Sequence, residues 1–183
     1  MDHVAFYPGS FDPVTYGHLD VVSRGRRLFD RLVVGVGQNP HKKTLFTSAE
    51  REDMLRALVA ELPDEPGLCP VEVHPYDGLT VDEARAVGAT ALLRGIRNLS
   101  DLQYEVQTAV TNREVASVET AFVVAGQSFA YTSSSLIKQI TAMGDDLSVL
   151  SPMCPPLVIT MLRQKKAENS EILRQLRTSA DDE

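Results

Sequence analysis

Near its start the chain combines glycine, proline, hydroxyl groups and a histidine within ten residues. The stretch reads Gly9-Ser10-Phe11-Asp12-Pro13 and continues to Thr15, Gly17 and His18. An apolar strand is predicted before it and a helix after it, so it lies where parallel α/β sheets bind ligands. The first turn of a helix attracts phosphate, and His18 is well placed there to donate to a phosphoryl oxygen. Taken alone, a Gly-His pair can equally be a solvent-facing histidine at a helix start.

Basic side chains follow two further predicted strands. Lys42 comes after the second of them, and Arg94-Gly95-Ile96-Arg97 comes after the fourth. Lysine supplies a mobile point charge and arginine a planar pair of donors, and both suit phosphate groups. Surface lysines and arginine pairs are common, but the position of these residues at strand ends favours a binding role.

Consecutive serines precede a predicted helix in the last third of the chain. Ser133-Ser134-Ser135 supplies an N-cap, hydroxyl groups and unpaired backbone donors, which together make an anion site. Simple capping would need only one serine. Another candidate, Glu105, follows Tyr104 in the longest predicted helix, where by itself it would be one residue of an ordinary polar face.

The candidate residues can form one site only if a sheet brings the ends of their strands together. Apolar runs, and an alternating pattern over residues 71–74, predict five strands at about residues 4–7, 31–37, 71–74, 91–93 and 120–125. Helical patterns lie between them, with starts predicted at Thr47, Thr80, Ser100 and Ser133. The first helical pattern has apolar residues as far as Phe29. Such alternation predicts an α/β fold with a doubly wound parallel sheet and right-handed crossovers.

The C-terminal part is predicted to differ from the sheet. Pro152, Pro155 and Pro156 separate the sheet from a helical tail. We expect one domain over residues 1–162, including C-terminal helices, and an extended, partly helical or frayed tail over residues 163–183.

Composition excludes several classes of protein. The 183 residues carry a formal net charge of −7 and are 43% hydrophobic, which indicates a globular protein without a duplex-binding surface. No apolar run approaches the roughly 20 residues that span a bilayer, and no basic-then-apolar leader opens the chain. Cys69 and Cys154 lack metal or redox spacing, so we expect buried thiols and a cytoplasmic location.

The motifs together resemble one known family. Gly-Ser-Phe-Asp-Pro followed by Thr-x-Gly-His resembles the first signature of the nucleotidyltransferase superfamily, usually written His-x-Gly-His, with Thr15 at the first histidine. Ser-Ser-Ser-x-x-Lys138 resembles the second signature. Lys42, Arg-Gly-x-Arg and the Tyr104-Glu105 pair then make the chain similar, over about residues 3–150, to the phosphopantetheine adenylyltransferases.

That resemblance implies a fold, a reaction and partners. The fold would be a Rossmann-like nucleotidyltransferase fold with a five-stranded sheet. The reaction would move AMP from ATP to 4′-phosphopantetheine, giving dephospho-CoA and pyrophosphate. It implies Mg²⁺ carried mainly by ATP without a protein metal site, a homohexamer, and possible feedback by CoA. Neither a nucleic acid nor a membrane partner is expected.

It also implies residue roles. The catalytic residues would be His18, Lys42 and Arg94. Substrate would be bound by four residues: Ser10, Lys42, Thr80 and Arg94. The nucleotide would be bound by residues from three motifs and one helix: Ser10, Phe11, His18, Gly95, Ile96, Arg97, Glu105, Phe129, Ala130, Tyr131, Thr132, Ser133, Ser134 and Ser135.

Alternative functions stay open at this point. A related transferase could act on nicotinate mononucleotide or a glycerol phosphate, although Lys42 and the Arg94-Gly95-Ile96-Arg97 motif favour phosphopantetheine. A non-catalytic nucleotide or CoA sensor could keep the fold, but it would not need His18. A tRNA synthetase fragment shares both signatures, but this chain is short and acidic for that partner.

Overall fold

The computed structural model describes residues 2–38 and 43–181. Its centre is a five-stranded sheet, and every strand pairing is parallel. The strands run in the order β3-β2-β1-β4-β5. Their bounds are Val4–Gly9 (β1), Arg31–Gln38 (β2), Val71–Asp77 (β3), Ala91–Ile96 (β4) and Glu119–Val124 (β5). The predicted α/β class and five-stranded parallel sheet are confirmed.

Helices cover both faces of the sheet. Their bounds are Tyr16–Gly25 (α1), Ser48–Ala60 (α2), Thr80–Ala86 (α3), Leu99–Ala116 (α4), Ser134–Met143 (α5), Pro156–Ala167 (α6) and Glu171–Asp181 (α7). Two short 3₁₀ turns, Gln127–Phe129 and Leu147–Leu150, flank α5.

Alternating side chains of the strands divide the core into two layers. In β1, Ala5 and Tyr7 join a large cluster with residues of α1, α2, α5, α6 and α7. Their neighbours Val4 and Phe6 face the opposite way and join a smaller cluster with residues of α3 and α4. Because both faces are covered, β1 and the interior of β2 carry no polar side chain, as is usual for central parallel strands.

The sheet reverses its winding between β1 and β4. These strands are neighbours, with Ala5 opposite Ala91 and Phe6 opposite Leu92, although α1, β2, α2, β3 and α3 separate them along the chain. In such sheets the crevice beyond this switch point is the usual ligand site. Helix α1 packs closely here, because a Cβ on Gly95 would lie 2.5 Å from a methyl carbon of Val21.

Three predicted helix boundaries are wrong. Helix α1 ends at Gly25, and Leu28 beyond it is exposed. The N-cap of α3 is Leu79, without a side-chain bond, so Thr80 is its first helical residue. Asn98, whose side chain accepts from the Asp101 amide, caps α4 instead of Ser100. In the last case the alternative polar residue lies only two positions away, a distance that sequence patterns resolve poorly.

Helices α6 and α7 pack on the sheet domain. Helix α6 passes position 162, and Leu173 of α7 is fully buried in the larger core cluster. Arg177 donates to the Ala142 carbonyl at the end of α5 over 2.6 Å. The tail is therefore helical as far as Asp181, and its packing involves α5 in particular.

Both cysteines are buried free thiols, as predicted. Burial raises the pKa of Cys154 to about 11. Over the described ranges, no helix has the length and apolar character that crossing a membrane requires.

Candidate active site

A cavity of about 300 Å³ lies beyond the carboxyl ends of β1 and β4. The N-termini of α1 and α5 open onto it, so two sets of unpaired backbone donors converge there. We call it the inner cavity. Ten predicted site residues line it: Ser10, His18, Arg94, Gly95, Arg97, Glu105, Thr132, Ser133, Ser134 and Ser135.

Thr15 and His18 hold one another at the start of α1. The Thr15 hydroxyl accepts from the His18 amide, and the His18 ring accepts from the Thr15 amide, which completes a capping box. The ring atom is Nδ1, at 3.0 Å from the Thr15 nitrogen. A backbone N–H can only donate, so Nδ1 is unprotonated and the neutral ring carries its proton on Nε2. This contact explains how threonine can replace the first histidine of the signature, because Thr15 still orients the His18 ring.

The environment of His18 keeps the ring neutral. Burial, reinforced by the nearby charges of Arg97 and Arg94, lowers its pKa to about 4. The ring also packs edge-on against Phe11, with centroids 5.0 Å apart. At neutral pH His18 is therefore an oriented neutral donor.

Arg94 is held by Glu105 on helix α4. Its Nε and Nη2 atoms donate to the two carboxylate oxygens over 2.7 and 2.5 Å, and Nη1 donates to the Pro8 carbonyl over 2.8 Å. Burial opposes the charged form of Arg94, but the bonds and charge of Glu105 outweigh it and raise the pKa. Glu105, predicted to contact nucleotide, thus contacts Arg94 directly while it also lines the cavity.

Arg97 is also bound to a carboxylate of α4, that of Asp101, which lies one turn before Glu105. Asp101 accepts from its Nε over 2.7 Å, and its Nη1 donates to the Thr132 carbonyl over 2.6 Å. Arg97 thus links the end of β4 to the segment before α5. The two arginines supply positive charge to the cavity in fixed positions.

The serines at the start of α5 have separate roles. Ser133 is the N-cap, as predicted, and its hydroxyl accepts from the Leu136 amide. The Ser134 hydroxyl donates to the Pro13 carbonyl over 2.8 Å. Two of the three hydroxyls therefore bind protein atoms, and the backbone amides at the start of α5 are the donors suited to an anion.

Other predicted nucleotide contacts do not line the inner cavity. Phe11 and Ile96 are buried in the core, Phe129 lies beside Tyr16, and Tyr131 is 90% exposed. Ala130 lies between these two aromatic residues, also outside the lining. Glycine is required at position 9 by Phe11, because a Cβ there would lie 2.7 Å from the Phe11 ring. Lys42 falls outside the described residues.

A second cavity of about 1060 Å³ adjoins the first on the side of α3 and α4. We call it the outer cavity. Thr80 lines it, as do the exposed side chains of Leu79 and Tyr104. Tyr76 and Thr80 share a hydrogen bond of 3.0 Å between their hydroxyls. Five residues line both cavities: Pro8, Gly9, Ser10, Arg94 and Glu105.

Within residues 2–38 and 43–181, no group of three or more histidine, cysteine or acidic side chains is arranged to hold a metal ion. The two carboxylates that line the inner cavity, Asp101 and Glu105, are each paired with an arginine. The donor set here thus suits anions.

Comparison with known proteins identifies the family. The model of the cytidylyltransferase-like family matches residues 6–140. The phosphopantetheine adenylyltransferase of Caldanaerobacter subterraneus subsp. tengcongensis is 44% identical over 163 residues, which are 88% of this chain and 96% of that protein. The enzyme of the same name from Rhodopseudomonas palustris is 44% identical over 168 residues, 91% of this chain and 99% of that protein. The chain belongs to the phosphopantetheine adenylyltransferases.

Solved structures extend the likeness in fold beyond this family. The nicotinic acid mononucleotide adenylyltransferase of Plasmodium falciparum, complexed with NaAD, has a TM-score of 0.66 at 16% identity. The likeness covers 90% of this chain and 96% of that one. At such low identity it concerns the fold alone, and it agrees with the predicted nucleotidyltransferase fold.

Several residues that hold the site together were not predicted from the sequence. Asp101 was assigned no role, and Thr15 was recognised only as the residue at the first histidine of the signature. Asp101 lies in the first turn of α4, but Arg97 precedes the N-cap of that helix, so no helical spacing signalled this pair. Thr15 precedes His18 by three, the capping-box spacing.

Proposed function

We propose that this protein transfers AMP from ATP to 4′-phosphopantetheine, giving dephospho-CoA and pyrophosphate. One observation carries the proposal: a neutral, oriented histidine lies where two helix N-termini and two arginines meet. This arrangement suits a transition state in which negative charge builds on a phosphoryl group.

In this reaction the acceptor phosphate is already anionic and requires no general base. One of its oxygens bonds to the α-phosphorus of ATP, and the bond from that phosphorus to the bridging oxygen breaks. The bonding electrons leave with pyrophosphate. Nε2–H of His18 donates to an α-phosphate oxygen throughout, so the ring gains no proton.

The two cavities divide the substrates between them. ATP would occupy the inner cavity, with its phosphates against the amides at the starts of α1 and α5, and against Arg97. Mg²⁺ would arrive with ATP as part of the substrate. The pantetheine arm would occupy the outer cavity beside Thr80, with its phosphate at Ser10 and Arg94, which line both cavities. Lys42 would be a further phosphate ligand.

Assembly and regulation belong to the same proposal. Helix α4 and strand β5 leave apolar side chains exposed, including Leu99, Val115 and Val124 at 71–84%. Such surface is typical of contacts between subunits, and it supports the expected homohexamer. Inhibition by CoA would follow from the outer cavity, since CoA carries the same arm as the acceptor. A cytoplasmic location would suit a supply of ATP and buried free thiols.

The deciding experiment measures pyrophosphate release from MgATP with 4′-phosphopantetheine or nicotinate mononucleotide as acceptor. Release with phosphopantetheine alone is expected, and mass spectrometry should then find dephospho-CoA. Release with the mononucleotide alone would overturn the acceptor assignment. If folded protein that binds ATP released no pyrophosphate with either acceptor, the result would favour a nucleotide sensor.

A further inference from the structure

Asp12 is a buried carboxylate beneath the active site, and the residue roles derived above do not use it. Only 1% of it is exposed, and it is absent from the lining of both cavities. It accepts hydrogen bonds from the amides of Leu45 and Phe46, over 3.1 and 2.9 Å. Lys138 Nζ donates to it over 2.7 Å.

Lys138 belongs to the second signature, but its ammonium group faces Asp12. Its side chain is 14% exposed and it does not line the inner cavity. In the structure the lysine is turned away from that space, toward the first signature.

Further bonds join the same segments. The Ser134 hydroxyl donates to the Pro13 carbonyl, a second link between α5 and the loop before α1. Arg51 Nη1 donates to the carbonyls of Ser10 and Gly37, over 2.6 and 2.9 Å. The loop after β1, the segment after β2 and the start of α5 are thereby connected through buried polar contacts.

We propose that the Asp12–Lys138 ion pair positions these three segments relative to one another for phosphoryl transfer. The inference rests on the proposed function, because it treats His18 and the α5 amides as ligands of the reacting phosphates. His18 follows the loop after β1 and these amides begin α5, so the two sets of ligands belong to different segments. Asp12 and Lys138 are positioning residues, since neither lies where it would touch a substrate.

The energetics of buried charge support this role. Removing two charges from water costs most of what their attraction returns, so a buried ion pair adds little stability compared with apolar side chains of similar size. What it does supply is a fixed distance between its partners. Small displacements of reacting groups cost far more in rate than in stability.

The chain offers a matched control at Lys165. Its Nζ lies 2.7 Å from Glu50, its side chain is 15% exposed, and it packs over the ring of Phe46. Lys165 thus resembles Lys138 in burial and in ion-pair distance. It differs because its carboxylate partner, Glu50, accepts from the Thr47 amide at the start of α2, whereas Asp12 accepts from the amides of Leu45 and Phe46.

The test compares Lys138→Met with Lys165→Met. Lys138→Met should lower kcat about tenfold to a hundredfold, with the dissociation constant of ATP changed less than about threefold. Lys165→Met should leave kcat within about twofold of the original chain, even where its melting temperature falls equally. Equal kcat values for the two variants would overturn the proposal.

A double variant separates position from stability. In Asp12→Asn with Lys138→Met, no unpaired buried charge remains, but asparagine has one oxygen for the two amides that Asp12 binds. The melting temperature should therefore recover in part relative to Lys138→Met alone. The kcat should stay low, because the tie between α5 and the first loop is still missing. Recovery of kcat together with the melting temperature would contradict a positioning role.

Hydrogen exchange gives a readout that does not depend on turnover. The amides of Leu45 and Phe46 should exchange faster in Lys138→Met than in Lys165→Met, because Asp12 loses the partner that holds it. Unchanged exchange in both variants would reject the proposed coupling. If the original chain releases no pyrophosphate with phosphopantetheine, the proposed function fails, and exchange still decides the role of Asp12.

Discussion

The two cavities are built in contrasting ways. In the inner cavity the charged side chains and the neutral His18 ring are already bound to protein: Arg94 to Glu105, Arg97 to Asp101 and His18 to Thr15. In the outer cavity Leu79 and Tyr104 are each 66% exposed. Apart from the shared Arg94–Glu105 pair, the Tyr76–Thr80 hydrogen bond joins two of its lining side chains. Groups that stabilise developing charge must be oriented beforehand. A flexible arm needs only a surface of suitable shape and polarity.

The largest effect should come from the inner cavity itself. His18→Ala removes the oriented donor and should lower kcat about 10²–10³-fold, with little change in ATP affinity. Steady-state rates and ATP titration measure the two quantities. His74→Ala is the control, since His74 pairs with Glu83 at the surface, and its kcat should change less than about twofold. Loss of ATP binding with kcat retained would contradict the role of His18.

Loss of an arginine partner should have the next largest effect. Glu105→Gln removes the charge that holds Arg94 and should cost about 1.5–3 kcal/mol of unfolding free energy. We expect kcat/KM for the acceptor to fall about tenfold, because Arg94 loses its fixed position. Denaturant unfolding and kinetics check both values. Glu114→Gln, which breaks the exposed pair with Arg113, should change neither.

The capping box at Thr15 should show a smaller effect. Thr15→Val removes the hydroxyl and should cost about 1 kcal/mol of stability. A loss of several-fold in kcat should accompany it, because the start of α1 and the His18 ring are held less firmly. Thr47→Val is matched, since Thr47 makes the same capping box at α2. It should lose similar stability without a loss of kcat, and Thr15→Ser should restore both.

The smallest effect should come from the outer cavity. Tyr76→Phe removes the hydroxyl that bonds Thr80 and should raise KM for phosphopantetheine no more than about threefold, the scale of one neutral hydrogen bond. The KM for ATP and kcat should stay unchanged. A large fall in kcat would show that the outer cavity is as strictly oriented as the inner one.

Motifs that are local in sequence predicted much of this molecule. Continuous apolar runs located the strands, and the phosphate-binding pattern located His18, Arg94 and Ser133 at one edge of the sheet. The contacts of Asp12 join residues 33, 34 and 126 positions apart. No local pattern encodes such distances. The caps at Leu79 and Asn98 were missed because neighbouring polar residues offered equally plausible starts.

The shared wall between the cavities has an evolutionary consequence. Pro8, Gly9, Ser10, Arg94 and Glu105 border both spaces, whereas the remaining lining of each comes largely from different helices. Substitutions on α3 and the outer side of α4 therefore reshape one half without disturbing the helix starts that face the other. In the evolution of this architecture, such substitutions can change the acceptor specificity while the residues that transfer AMP stay the same.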